Sequence, residues 1–154
     1  MTMKLGEALT LRSDNLRRIE ELTARAAQNT QVQEGTKPAA DPNELIGEIE
    51  RLTSETTSLI QRINRTNVVT RLAEGALLSD ALAQRDRHLA LRNNLRSIAK
   101  AASEPQTRFL RSEIRVVRTV STSTLLKRAD DLAKMQRILD ASIQEANWTI
   151  DLLD

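Results

Sequence analysis

A 3-4 apolar rhythm fills the final stretch of the chain almost without a break, and it constrains the fold more than any other feature. Leu125, Ala129, Leu132, Gln136, Leu139, Ile143, Ala146, Ile150 and Leu153 step alternately by four and by three. That spacing lays one stripe along a helix and suits knobs-into-holes packing against other helices. The same rhythm recurs at Leu45, Ile49, Leu52, Thr56, Leu59, Ile63 and Thr66. A chain with two such seams is expected to fold as packed helices.

Residue usage points the same way. Phe109 and Trp148 are the aromatic residues, Tyr is absent, and there are four Gly. Sheet proteins draw on aromatic and β-branched residues and on turn glycines, so this balance favours an all-α fold. With 154 residues the chain has single-domain size, enough to hide about 70% of its unfolded surface. The lack of Cys removes disulfides, thiolate nucleophiles and thiolate metal sites, and it suits a reducing cytoplasm. No apolar run approaches the roughly 18–20 residues of a membrane span. The opening residues, Met1 to Gly6, lack the charged-then-apolar plan of a secretory signal. The expectation is a cytoplasmic protein with no membrane partner.

Turn and cap signals divide the chain into helices over about 4–28, 42–70, 79–102 and 123–153, with an irregular or extended arm over about 104–122. The first should bury Leu5, Leu9, Leu16, Ile19, Leu22 and Ala26. The second starts most clearly: Asp41 can cap, Pro42 suits the first helical position, and Glu44 completes a capping-box spacing. Ser79 is a plausible cap for the third helix, whose stripe of Leu82, Leu89, Leu91, Leu95 and Ile98 is broken by Arg85, Asp86, Arg92 and Asn93. Pro105 ends that helix. The β-branched run from Ile114 to Val120 reads as extended, and Ser121 or Ser123 should cap the last helix. The predicted architecture is an elongated antiparallel four-helix bundle in one domain, with coiled-coil-like helices.

Several strings carry a family resemblance: Lys4-Leu5-Gly6-Glu7-Ala8-Leu9, the stretch from Asn29 to Gly35, Asp41-Pro42, Ile63-Asn64-Arg65-Thr66-Asn67, Ala81-Leu82-Ala83-Gln84-Arg85-Asp86, Ser112-Glu113-Ile114-Arg115 and Asn147-Trp148-Thr149. Their order resembles the septicolysin-like family of small bacterial proteins, most without an assigned function. The resemblance runs from Met3 onward and implies a helical fold. Its label implies a pore-forming cytolysin, whereas the chain shows no secretion signal, amphipathic membrane hairpin or aromatic belt. No catalytic or binding residue carries over.

Three groups of residues could carry chemistry. Asn64, Asn67, Arg85, Asp86, Asn93 and Asn147 intrude on otherwise apolar helical stretches. A buried amide or ion pair is costly without partners, so they are expected to lie together, shielded from water. They form either a small-ligand or enzymatic pocket or a polar layer that fixes helix register and oligomer state. A second group is basic: residues 85–118 hold nine basic and three acidic side chains, against net −2 on either side. Arg92, Arg96, Lys100, Arg108, Arg111, Arg115 and Arg118 recur there at helical steps and could bind RNA, DNA or another polyanion. The favoured reading is that they pair instead with Glu20, Glu21, Glu48, Glu50 and Glu55 on neighbouring helices or subunits. The third is His88, which amid Arg85, Asp86 and Arg87 reads as a surface residue rather than a general base. Neither a metal site nor a cofactor motif is expected.

These features predict a structural or interaction protein acting through homo-oligomeric helical assembly, with itself as the principal partner. Apolar positions beside the seams support this: Leu126, Met135 and Ile138 near the end, and Ile46, Ile60 and Val68 in the middle. Polyanion binding and a ligand pocket are the alternatives.

Overall fold

The computed structural model describes residues 2–104 and 116–154. They form four helices, α1 (Leu5–Gln28), α2 (Pro42–Val69), α3 (Leu78–Ser103) and α4 (Thr122–Thr149), and the protein is all-α with no named strand among the described residues. No helix there is long and apolar enough to cross a membrane. Two compact units result, one comprising Met1–Arg71 with Gln144–Asp154, the other Leu72–Ile143.

The first unit is built on the α1–α2 hairpin. On α2 the buried residues are Leu52, Thr56, Leu59, Ile63 and Thr66, all steps of the predicted seam. The Asp41 carboxylate accepts from the Asn43 amide at 2.8 Å and Pro42 opens the helix, which satisfies an orphan donor of the first turn. On α1 the buried side is Leu5, Ala8, Asn15, Leu22 and Ala26. This corrects the expected stripe, because Leu16 is exposed and Leu9 only half-buried. Positions 5, 8, 12, 15, 19, 22 and 26 keep the 3-4 rhythm, so small Ala8 and polar Asn15 hold core steps that hydropathy assigned to leucines. Asn29 ties the connecting loop: its amide donates to the Arg25 carbonyl, and its side-chain oxygen accepts from the Ala40 amide.

The segment after α4 secures this hairpin. Leu5 N donates to Ile150 O at 3.0 Å and Leu152 N to Met3 O at 2.8 Å, around an antiparallel bridge between Lys4 and Asp151. Leu153 N donates to Thr66 Oγ1 at 3.0 Å. One short segment thus meets the start of α1 and the end of α2, so the two helices run antiparallel. It also explains why α4 stops at Thr149 instead of 153. The Thr149 carbonyl accepts from Lys4 Nζ at 2.9 Å, and the chain beyond turns to extended pairing. Leu152, off the predicted seam, is buried, and Leu153 is exposed.

In the second unit, a turn from Leu72 to Ala76 leads into α3. Gly75 N donates to Leu72 O and Leu72 N to Ala76 O, both at 2.9 Å. Gly75 has φ 94°, a conformation that suits glycine. Leu77 is the N-cap of α3 and Leu78 is fully buried; Ser79 lies inside the helix and does not cap it. The expected α3 stripe is also corrected, since Leu89 and Ile98 are exposed and only Leu95 of the five is buried. The inward steps are Leu78, Ala81, Arg85, His88, Arg92, Leu95 and Ala99, each buried or half-buried. Arg92 bonds Gln136 and Arg96 bonds Asp130, so numbering rises on α3 as it falls on α4 and the two are antiparallel. Ser121 Oγ accepts from Thr124 N at 3.3 Å at the start of α4. Of the predicted arm, residues 105–115 lie outside the described residues. Residues 116–120 are non-helical, with Val116, Val117 and Val120 exposed.

Candidate functional site

In the first unit, the opening turns of α1 and the last turns of α4 enclose an open groove of about 390 Å³. Gly6, Leu9, Thr10, Ser13, Asp14 and Arg17 come from α1, and Gln144, Asn147 and Trp148 from α4. Gly6 makes the approach possible. A Cβ placed there would stand 3.0 Å from the Asn147 carbonyl oxygen and 3.0 Å from Trp148 Cδ2. The indole therefore lies against α1, while Trp148 as a residue is 58% exposed and Asn147 8%. Thr10 Oγ1 donates to Gly6 O and Ser13 Oγ to Leu9 O, which leaves both hydroxyl oxygens able to accept. Arg17 and Asp14 form an ion pair on the rim, and Arg18 and Glu21 form another beside it.

A second polar concentration interrupts the seams of α3 and α4 in the other unit. His88 is 6% exposed; its Nε2 lies 3.1 Å from Gln84 Nε2, and its Nδ1 has no hydrogen-bond partner among the described residues. One turn on, Arg92 donates through Nη1 to Gln136 Oε1 at 3.1 Å, while its buried Nε has no partner among the described residues. This corrects the reading of His88 as a surface residue. Its position in the 3-4 rhythm carries it inward despite its charged neighbours.

The sequence-derived polar residues fall in both units, Asn64, Asn67 and Asn147 in the first and Arg85, Asp86 and Asn93 in the second. Asn64 and Asp86 are exposed and Asn67 is half-buried, so shielding from water fails. The reason lies in register: the α2 seam passes through Ile63 and Thr66, which turns the residue after each, Asn64 and Asn67, off the core. Arg85 pairs with its own chain neighbour Asp86 at 2.9 Å. Asn93 is exposed, at 3.5 Å from Arg92 Nη2. Asn147 is buried and lines the groove. Among the basic residues, Arg96 pairs with Asp130 and Lys100 lies 3.9 Å from Glu104. Arg118 is exposed; Arg108, Arg111 and Arg115 fall outside the described residues. Glu48 and Glu55 are taken by Arg51 of their own helix.

Two carboxyls have pKa values held below the usual range. At Glu48 the main cause is the hydrogen bond from Arg51, which in turn raises the Arg51 guanidinium. At Asp151 it is the hydrogen bond from Lys4, followed by one from Thr2. Both ion pairs are structural. Among the described residues no group of His, Asp and Glu side chains is placed to hold a metal ion.

Residues 12–152 match the model of a family of unknown function, DUF6847, and the chain belongs to that family. The crystal structure of a functionally unknown conserved protein from Corynebacterium diphtheriae is similar, with a TM-score of 0.90 and 41% identity over 99% of this chain and 100% of that one. No curated protein matches. The septicolysin-like resemblance is thereby overturned. The short strings that suggested it lie mostly at helix ends and turns, where common capping and turn chemistry produces similar words, and the match over 12–152 is to another family.

Proposed function

We propose that this member of the DUF6847 family is a helical interaction protein that works by associating with further copies of itself. One observation carries the reading: Met135 and Ile138, one turn apart on α4, are 53% and 72% exposed. Apolar residues scattered singly are ordinary on a protein surface, whereas contiguous exposed apolar patches mark contact faces. Both lie off the seam that α4 spends on its own core. Leu126 on the same helix, and Ile46, Ile60 and Val68 on α2, are exposed as well. A self-complementary contact about a two-fold axis would cover such a pair twice over.

Light scattering at micromolar concentration tests the reading. A particle mass that is a multiple of the 17.3 kDa chain is the expected result. A mass equal to one chain, unchanged on raising the concentration, overturns it.

A further inference from the structure

We propose that the groove between the start of α1 and the last turns of α4 binds a neutral saccharide. Its charge balance argues for a neutral ligand. Asp14 and Arg17 on the rim neutralise each other, and the adjoining Arg18 and Glu21 do the same. A phosphorylated ligand would meet Asp14 and a cationic one Arg17, each with its counter-charge already taken.

The lining argues for hydroxyls. A wholly apolar ligand would strip water from the Gln144 and Asn147 amides and from the two hydroxyls of the groove without replacing the lost bonds, which is costly. Thr10 and Ser13 have donated their protons to helix carbonyls, so each offers an acceptor, as does Asp14. The amides and Arg17 offer donors. A sugar hydroxyl, which donates and accepts at once, uses both kinds. The remaining requirement is an apolar surface for the C–H face of the ring. Trp148 supplies it: the residue lines the groove and is more than half exposed, and the negative π face of an indole attracts C–H groups. Because the indole is seated against Gly6, little of its freedom remains to be lost on binding. The groove volume, about 390 Å³, falls in the range of roughly 300–1,000 Å³ common to small-ligand sites. This inference does not depend on self-association.

Trp148 is the single tryptophan of the chain, so its emission reports on the groove directly. The full chain is titrated with maltotriose, cellotriose and chitotriose. The expected result is a saturable change in emission with at least one of them, weakened about tenfold or more in Asp14→Ala, the loss expected when a charged hydrogen-bonding partner is removed. Both Asp14 and Gln144 are exposed; Gln144→Ala, on the opposite wall, should weaken binding too, and unchanged circular dichroism shows that both variants fold. No saturable response to any of the three sugars overturns the proposal. So does saturation that neither substitution affects, or tighter binding of adenosine monophosphate than of every sugar.

Discussion

At the scale of single residues, Gly6 and His88 show opposite ways of spending a core position. Glycine at position 6 is there for clearance rather than flexibility, because one of the three atoms a methyl group would meet is the backbone oxygen of Asn147, which cannot swing aside. Gly6→Ala should therefore cost about 1–3 kcal/mol, the usual range for overpacking. Thermal unfolding measures the loss, and a shift in Trp148 emission should accompany it. His88 is buried, and its Nδ1 has no partner among the described residues, so a nonpolar replacement of similar bulk removes a liability. His88→Leu should leave stability within about 1 kcal/mol of the parent or raise it, and a loss larger than that would mean that Nδ1 is satisfied. Asp86, by contrast, pairs with Arg85 while two-thirds exposed, so Asp86→Ala should cost no more than about 1 kcal/mol in denaturant unfolding. The inward position of His88 was legible in the sequence, since 78, 81, 85, 88, 92, 95 and 99 step by three and four. Reading hydropathy before spacing hid it, because three of those seven positions are Arg or His.

At the scale of elements, local signals located some helix ends and could not locate others. The start of α2 is written in adjacent residues, an Asp that caps and a Pro that suits the first turn. The end of α4 is written elsewhere, in Met3, Lys4 and Leu5, whose groups pair with residues 149–152. No local pattern can encode a partner so distant in the chain, and for the same reason the Gly6–Trp148 approach was not foreseeable. That pairing should respond to acid. The Asp151 carboxyl has a lower pKa folded than unfolded because Lys4 bonds its charged form. Its contribution is complete above the unfolded value of about 4, and it is lost as pH falls through the lower folded value. Asp151→Asn should thus reduce stability at neutral pH and flatten the acid limb of the stability curve. Native-state hydrogen exchange at the Leu5 and Leu152 amides provides the check, since both should exchange faster in the variant at pH 7 and converge with the parent in acid. An unchanged acid limb would place the acid sensitivity at Glu48 and Arg51 instead.

At the scale of the whole molecule, the all-α class followed from periodicity, while function did not, because packing seams say nothing about what lies on the faces they leave free. Of the polar residues singled out by their chemistry, Asn64, Asp86 and Asn93 are turned to solvent, and the candidate groove arose from a glycine and a tryptophan brought together by folding. The self-association reading makes a thermodynamic claim that a mass measurement alone does not test. If chains associate through Met135 and Ile138, folding and assembly are linked, and the melting temperature must rise with protein concentration. Ile138→Lys removes that dependence by placing a charge in the contact. It should leave the melting temperature of the dilute protein nearly unchanged, because Ile138 is 72% exposed there and surface substitutions usually shift stability by no more than about 0.5 kcal/mol. An apolar contact is also indifferent to moderate salt, whereas association through the arginines of α3 would weaken as salt screens it. The expected pattern is a concentration-dependent melting temperature in the parent, insensitive to sodium chloride and absent in Ile138→Lys. A parent whose melting temperature is flat across a hundredfold dilution would show that this face meets water in the working protein.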